Sequence, residues 1–121
     1  MPHGLAVAAD GALLVSDAGN DRVRRIDLAT GVVSSFAQIG TPHGLDVASD
    51  GTVYVVDSKA NRIVHLAASG AQIGFVGPVF GLPYDVEAGD SGVVYVLEAG
   101  PVGWLRRIAP DGTVTTVSRS G

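Results

Sequence analysis

The sequence predicts an all-β fold assembled from three successive four-stranded antiparallel units, and three observations carry that expectation. Short valine-rich clusters recur along all 121 residues, whereas long helix-forming runs of Glu, Lys and Leu are absent. The 17 glycines follow no collagen-like period, and their spread suggests many tight turns. Above all, the chain repeats itself. One unit opens Pro2-His3-Gly4-Leu5-Ala6-Val7, the next Pro42-His43-Gly44-Leu45-Asp46-Val47, and the third Pro83-Tyr84-Asp85-Val86.

The same register holds further along each unit. Asp10-Gly11, Asp50-Gly51 and Ser91-Gly92 align, followed by Leu14-Val15, Tyr54-Val55 and Tyr95-Val96. Then come Asp17, Asp57 and Glu98; Ile26, Leu66 and Ile108; and Thr30-Gly31, Ser69-Gly70 and Asp111-Gly112. Units of about forty residues with this content read as β-propeller blades, at approximately 1–40, 41–81 and 82–121.

Each blade resolves into four strands. In the first, Leu5–Ala8 leads through the Asp10-Gly11 turn to Ala12–Asp17. The loop Ala18-Gly19-Asn20-Asp21 leads to Arg22–Asp27, and the Thr30-Gly31 turn to Val32–Phe36. Asp-Gly dipeptides are expected to supply the positive φ angles of two-residue hairpins. The second strands, Leu13-Leu14-Val15, Val53-Tyr54-Val55-Val56 and Val93-Val94-Tyr95-Val96-Leu97, are nearly continuous apolar runs. A strand reads this way when both its faces are covered, as stacking blade on blade does.

Composition excludes several function classes. A hydrophobic fraction of 46% with 17% charged residues argues for a packed core. The net charge of −4 argues against a nucleic-acid partner, which needs a concentrated basic surface. The basic pairs Arg24–Arg25 and Arg106–Arg107 are expected as solvated edge decoration, since neighbours on a strand point to opposite faces. The absence of cysteine excludes disulfides and thiolate metal sites. No apolar run approaches the ~20 residues that cross a bilayer, and the N-terminus lacks a signal-peptide pattern. A soluble chain without a membrane partner is expected.

The pattern Pro-His-Gly-Leu, Asp-Gly, Val-Tyr-Val-Val-Asp-Ser, Asn-Arg-Ile-Val resembles the NHL-repeat family of β-propellers, with the second unit, residues 42–70, the closest match. The third unit departs most, because Gly100-Pro101-Val102-Gly103-Trp104 replaces the Asn-Arg loop. The resemblance implies six-bladed rings as the usual closed form. Similar propellers include bacterial receptor-kinase sensor domains, streptogramin lyases, peptidyl-hydroxyglycine lyases and, more distantly, gluconolactonase-type hydrolases.

Three blades span half of such a ring. Left alone they would expose the apolar outer faces of the first and third blades, beyond the few hundred Å² that monomers tolerate. The chain reads as whole blades from the start of an inner strand to the end of an outer one. The expected partner is therefore itself, a homodimer closing the ring.

Blade geometry places His3, His43 and Tyr84 around the channel mouth, with Asp17, Asp57 and Glu98 further out on the same face. His3, His43, Tyr84 and Trp104 are the candidate ligand-binding residues. His3 and His43 are the candidate metal ligands, since imidazoles on a funnel are materials for a divalent ion or acid–base work. The acidic residues are assigned structural roles in their turns, with Arg22 and Arg62 bridging to them or to loop carbonyls. His65 is expected at the surface. Gly89-Asp90-Ser91-Gly92 is expected as a hairpin turn. No phosphate loop, dinucleotide fingerprint or zinc-protease helix occurs.

The leading functional expectation is thus a non-enzymatic binding or scaffold module with a peptide or small molecule at the mouth and no resident cofactor. The alternative is a metal-assisted lyase or hydrolase, implied by the lyases the chain resembles and using a divalent metal on His3 and His43.

Overall fold

The computed structural model describes residues 2–100 and 103–119. Pro101 and Val102 of the divergent loop lie outside the described residues, as do Met1, Ser120 and Gly121. Twelve described strands form three antiparallel sheets, each a meander in chain order. Blade 1 holds β1 (Pro2–Val7), β2 (Leu13–Asp17), β3 (Arg22–Ile26) and β4 (Val33–Gln38). Blade 2 holds β5 (Pro42–Val47), β6 (Val53–Asp57), β7 (Arg62–Leu66) and β8 (Gln72–Val76). Blade 3 holds β9 (Pro83–Ala88), β10 (Val94–Glu98), β11 (Trp104–Ile108) and β12 (Val114–Arg119).

Strand boundaries follow the repeat, with two corrections. β1 begins at Pro2 rather than Leu5, so each inner strand includes its Pro-His or Pro-Tyr pair. The first hairpin of blades 1 and 2 is a three-residue loop, not a two-residue one. Gly11 N–H donates to Ala8 C=O and Ala8 N–H to Ala12 C=O, a pattern repeated by Gly51, Ala48 and Thr52. Only the glycine adopts the left-handed backbone (φ 90° at Gly11, 86° at Gly51), while each aspartate accepts the N–H two residues on. That is a type I turn closed by a glycine bulge, in which Asp serves as a side-chain acceptor rather than a left-handed residue.

Stacking of the sheets explains the apolar runs. Leu14 and Val23 of blade 1 bury against Leu45, Val53, Val55, Val64 and Leu66 of blade 2. Tyr54, Val56 and Ile63 on the other face of blade 2 bury against Val86, Val94, Val96 and Ile108 of blade 3. In the middle blade, Val53, Tyr54, Val55 and Val56 are therefore all buried. The end blades differ: β2 and β10 alternate in burial. In β2, Leu14 and Ser16 are covered while Leu13 and Val15 are half-exposed. In β10 the covered residues are Val94, Val96 and Glu98, with Tyr95 and Leu97 half-exposed. Each end blade lacks cover on the face turned away from blade 2, and Leu5 and Val7 there are 64% and 61% exposed.

Candidate functional site

The inner strands β1, β5 and β9 lie side by side, and their first residues meet. Pro2, Pro42 and Pro83 pair with Asp17, Asp57 and Glu98 at the ends of the second strands, which fixes the next residue of each inner strand at one rim. His3 and His43 stack there, ring centroids 4.6 Å apart and planes within 5°. Together with Tyr84 and Asp85 they line a hollow of about 380 Å³ on the inner face. Burial, and secondarily the neighbouring His3, pulls the His43 pKa below that of a free imidazole, which favours a neutral ring at pH 7.

Close approach of the inner strands depends on two glycines. A Cβ on Gly4 would stand 2.7 Å from the carbonyl oxygen of His43, and one on Gly44 would meet the Asp85 carboxylate and lie 2.7 Å from Asp85 Cα. Any side chain there would push the strands apart.

The stacked pair bears on metal chemistry. In-plane lone pairs of parallel imidazoles run alongside each other, so one ring would have to turn before both could bind a single ion at ~2.1 Å. Among the described residues, no cluster of three or more His, Asp or Glu is arranged to hold a metal.

Trp104 is not brought to this hollow. It opens β11, lies under the Arg106 guanidinium at 4.4 Å, and lines a separate hollow of about 520 Å³ with Leu82, Glu98 and Arg106.

The acidic residues take structural roles, in partly different hands from those expected. Asp57 caps its loop by accepting Ala60 N–H at 2.9 Å. Asp17 accepts from Asn20 and from Arg24 Nε, both at 2.9 Å. Glu98 accepts Gly81 N–H at 2.8 Å and Arg106 Nε at 2.7 Å. The arginines that bridge to these acids are thus Arg24 and Arg106, and Arg25 pairs with Asp10 at 2.9 Å, which corrects the reading of these three as edge decoration. Arg22 turns outward to Ser35 Oγ, and Arg62 lies 3.9 Å over the Phe75 ring. His65 is likewise not a free surface residue: it stacks on Tyr54 at 4.3 Å and shares a 2.8 Å hydrogen bond with Thr52 Oγ1. Residues 89–92 do form the hairpin turn, with Ser91 and Gly92 left-handed.

Two residues that sequence reasoning passed over join the blades. Asp21 accepts Thr41 N–H at 2.8 Å and Lys59 Nζ at 3.2 Å, both from blade 2. Asp46 accepts Val47 N–H within blade 2 and Ala88 N–H, 2.8 Å away, from blade 3. Asp46 stands where blade 1 has Ala6 and blade 3 has Glu87. That break in the repeat was its only visible signal.

With this geometry in hand, comparison with known proteins is informative about the fold. The NHL repeat profile matches residues 1–26 and 40–66, within blades 1 and 2. No curated protein matches the chain closely. Similar solved structures include virginiamycin B lyase from Staphylococcus aureus, at 22% identity and a TM-score of 0.80, covering 95% of this chain and 40% of the lyase. A nidogen/laminin complex aligns at 21% identity and a TM-score of 0.83, covering 99% of this chain and 49% of that one. XC5397 from Xanthomonas campestris, described as a gluconolactonase, aligns at 18% identity and a TM-score of 0.83, covering 97% and 47% respectively. This chain spans less than half the length of each. At these identities the likeness establishes the architecture, shared by enzymes and a binding complex alike.

Proposed function

Taking as premise that the chain is an NHL-repeat β-propeller, with repeats in its first two blades, we propose that it is a non-enzymatic binding module completed to a six-bladed ring by a second copy of itself. One observation carries the proposal: β2 and β10 alternate in opposite phase, while β6 is buried on both faces. The half-exposed residues of blade 3, Tyr95, Leu97 and Leu105, stand where Tyr54, Val56 and Ile63 of blade 2 bury against blade 3. On blade 1, Leu5, Leu13, Val15 and Ile26 stand where Val86, Val94, Val96 and Ile108 receive them. The two open faces therefore form a matched pair, and a two-fold axis along the channel joins both pairs at once.

The ligand site of this ring is the channel mouth, with His3, His43 and Tyr84 contributed twice. Stacked imidazoles and a phenol suit a planar or peptide-like group that makes hydrogen bonds. The parallel set of the rings favours this over the metal-assisted alternative. Sedimentation equilibrium tests the assembly: a mass of two chains at micromolar concentration is expected, and a single-chain mass would overturn the proposal.

A further inference from the structure

This inference rests on the two-chain ring proposed above and concerns how its seams differ from the joints inside a chain. At an internal joint the inner strands approach through glycine: Gly4 in blade 1 lies against His43 and Gly44, and Gly44 in blade 2 against Asp85. The residue at this place in blade 3 is Asp85, which pairs opposite Leu97 as Gly4 pairs opposite Ser16. A Cβ on Gly4 already falls 2.8 Å from a Leu45 methyl and 2.7 Å from a backbone oxygen. The real Cβ of Asp85 would meet the corresponding atoms of a second copy, Leu5 and the carbonyl of His3. The seam cannot close as tightly as the joints.

A second departure in the same strand answers the first. Across the joint between blades 2 and 3, Asp46 accepts the backbone N–H of Ala88 at 2.8 Å. Glu87 stands at the Asp46 position, paired opposite Tyr95 as Asp46 is opposite Tyr54. It is exposed and lines the open face with Asp85, Tyr95, Leu97 and Leu105. The residue a second copy presents where Ala88 stands is Val7, which pairs with the first residue of β2 as Ala88 does with that of β10. Val47, the equivalent in blade 2, is served by the carboxylate of Asp46 in its own strand, whereas Val7 follows Ala6, which has none.

We propose that Asp85 holds the inter-chain seam open at the inner strands, and that Glu87, one methylene longer than Asp46, spans the widened gap to accept the N–H of Val7 of the partner subunit. The partner is thereby a second copy of this chain, met through a seam that is looser than an internal joint and bridged by one charge-assisted hydrogen bond.

Dimer dissociation constants of full-length variants, measured by sedimentation, test this. Asp85→Gly should restore the glycine approach and tighten the dimer by about tenfold, while Asp85→Asn, which keeps the bulk, should match the wild type. Glu87→Gln should weaken the dimer by about tenfold and speed hydrogen exchange at the Val7 amide. Both positions are exposed in the single chain, and unchanged far-UV circular dichroism would exclude misfolding as the cause. A dimeric wild type in which Asp85→Gly binds no tighter, Asp85→Asn tightens as much as Asp85→Gly, or Glu87→Gln leaves affinity and Val7 exchange unchanged would overturn the seam and leave the ring standing. A monomeric wild type would instead overturn the ring.

Discussion

Ser16 sits on the covered face of blade 1 with its side chain fully buried, and its hydroxyl has no hydrogen-bond partner among the described residues. The equivalent positions hold Val56 and Leu97, so the joint is built for an apolar residue there. Ser16→Ala removes an unsatisfied polar group and should raise stability by about 1 kcal/mol, read as a higher urea midpoint at unchanged slope. A second prediction concerns His65. Burial against Tyr54 depresses its pKa below 6.5, and the weaker pull of Asp50 only partly offsets this. The unfolded chain therefore binds a proton more readily, so stability is complete above about pH 6.5 and declines as pH falls through the folded value. Urea midpoints between pH 7 and pH 5 should fall, and fall less in His65→Gln. Neither feature was legible beforehand. Ser16 lies in a run that reads as strand whatever its face, and His65 is defined by Tyr54 across the ladder.

Among the elements, the second and third strands of each blade carry the repeat and also its variations. The continuous apolar run of β6 was readable in the sequence because both its faces are covered. β2 and β10 carry similar runs without that cover, so sequence alone could not separate a buried face from an open one. The acid–arginine bridge of blade 1 was legible as a type and misassigned by two residues, from Arg22 to Arg24, whereas Arg62 of blade 2 lies over Phe75 and the bridge of blade 3 falls to Arg106. Asp17 pairs directly opposite Arg22 in the ladder, yet its carboxylate bonds Arg24 diagonally, because long side chains lean along the strand. The same bridge in blade 3 is the more deeply set, with Glu98 only 5% exposed. Glu98→Ala would remove the acceptor of Arg106 Nε and of the Gly81 N–H, while Arg106 keeps Thr116 Oγ1 and the Trp104 ring. It should cost about 2 kcal/mol in urea unfolding. Asp17→Ala, at a more exposed bridge, should cost less.

For the whole molecule, the three-blade plan was recoverable from the repeat alone, whereas the mouth was recoverable only as a neighbourhood. His3, His43 and Tyr84 come together as inner-strand register requires, but Trp104 does not join them, because it begins a third strand beneath Arg106 instead of capping the channel. The proposed closure of the ring by a second copy predicts that Leu5→Glu, on the open face of blade 1, yields a folded single-chain species by light scattering with the β circular-dichroism spectrum intact. The opposed phases of β2 and β10 have one more consequence. In the proposed assembly, an arc whose two ends fit each other, but not themselves, has a direction, and directional units add head to tail without limit unless curvature brings the last end back to the first. Whether such a molecule forms a compact particle or an open fibre is then set by the tilt at each joint. A substitution that flattens that tilt by a few degrees would turn a self-limiting assembly into one with pitch and no end.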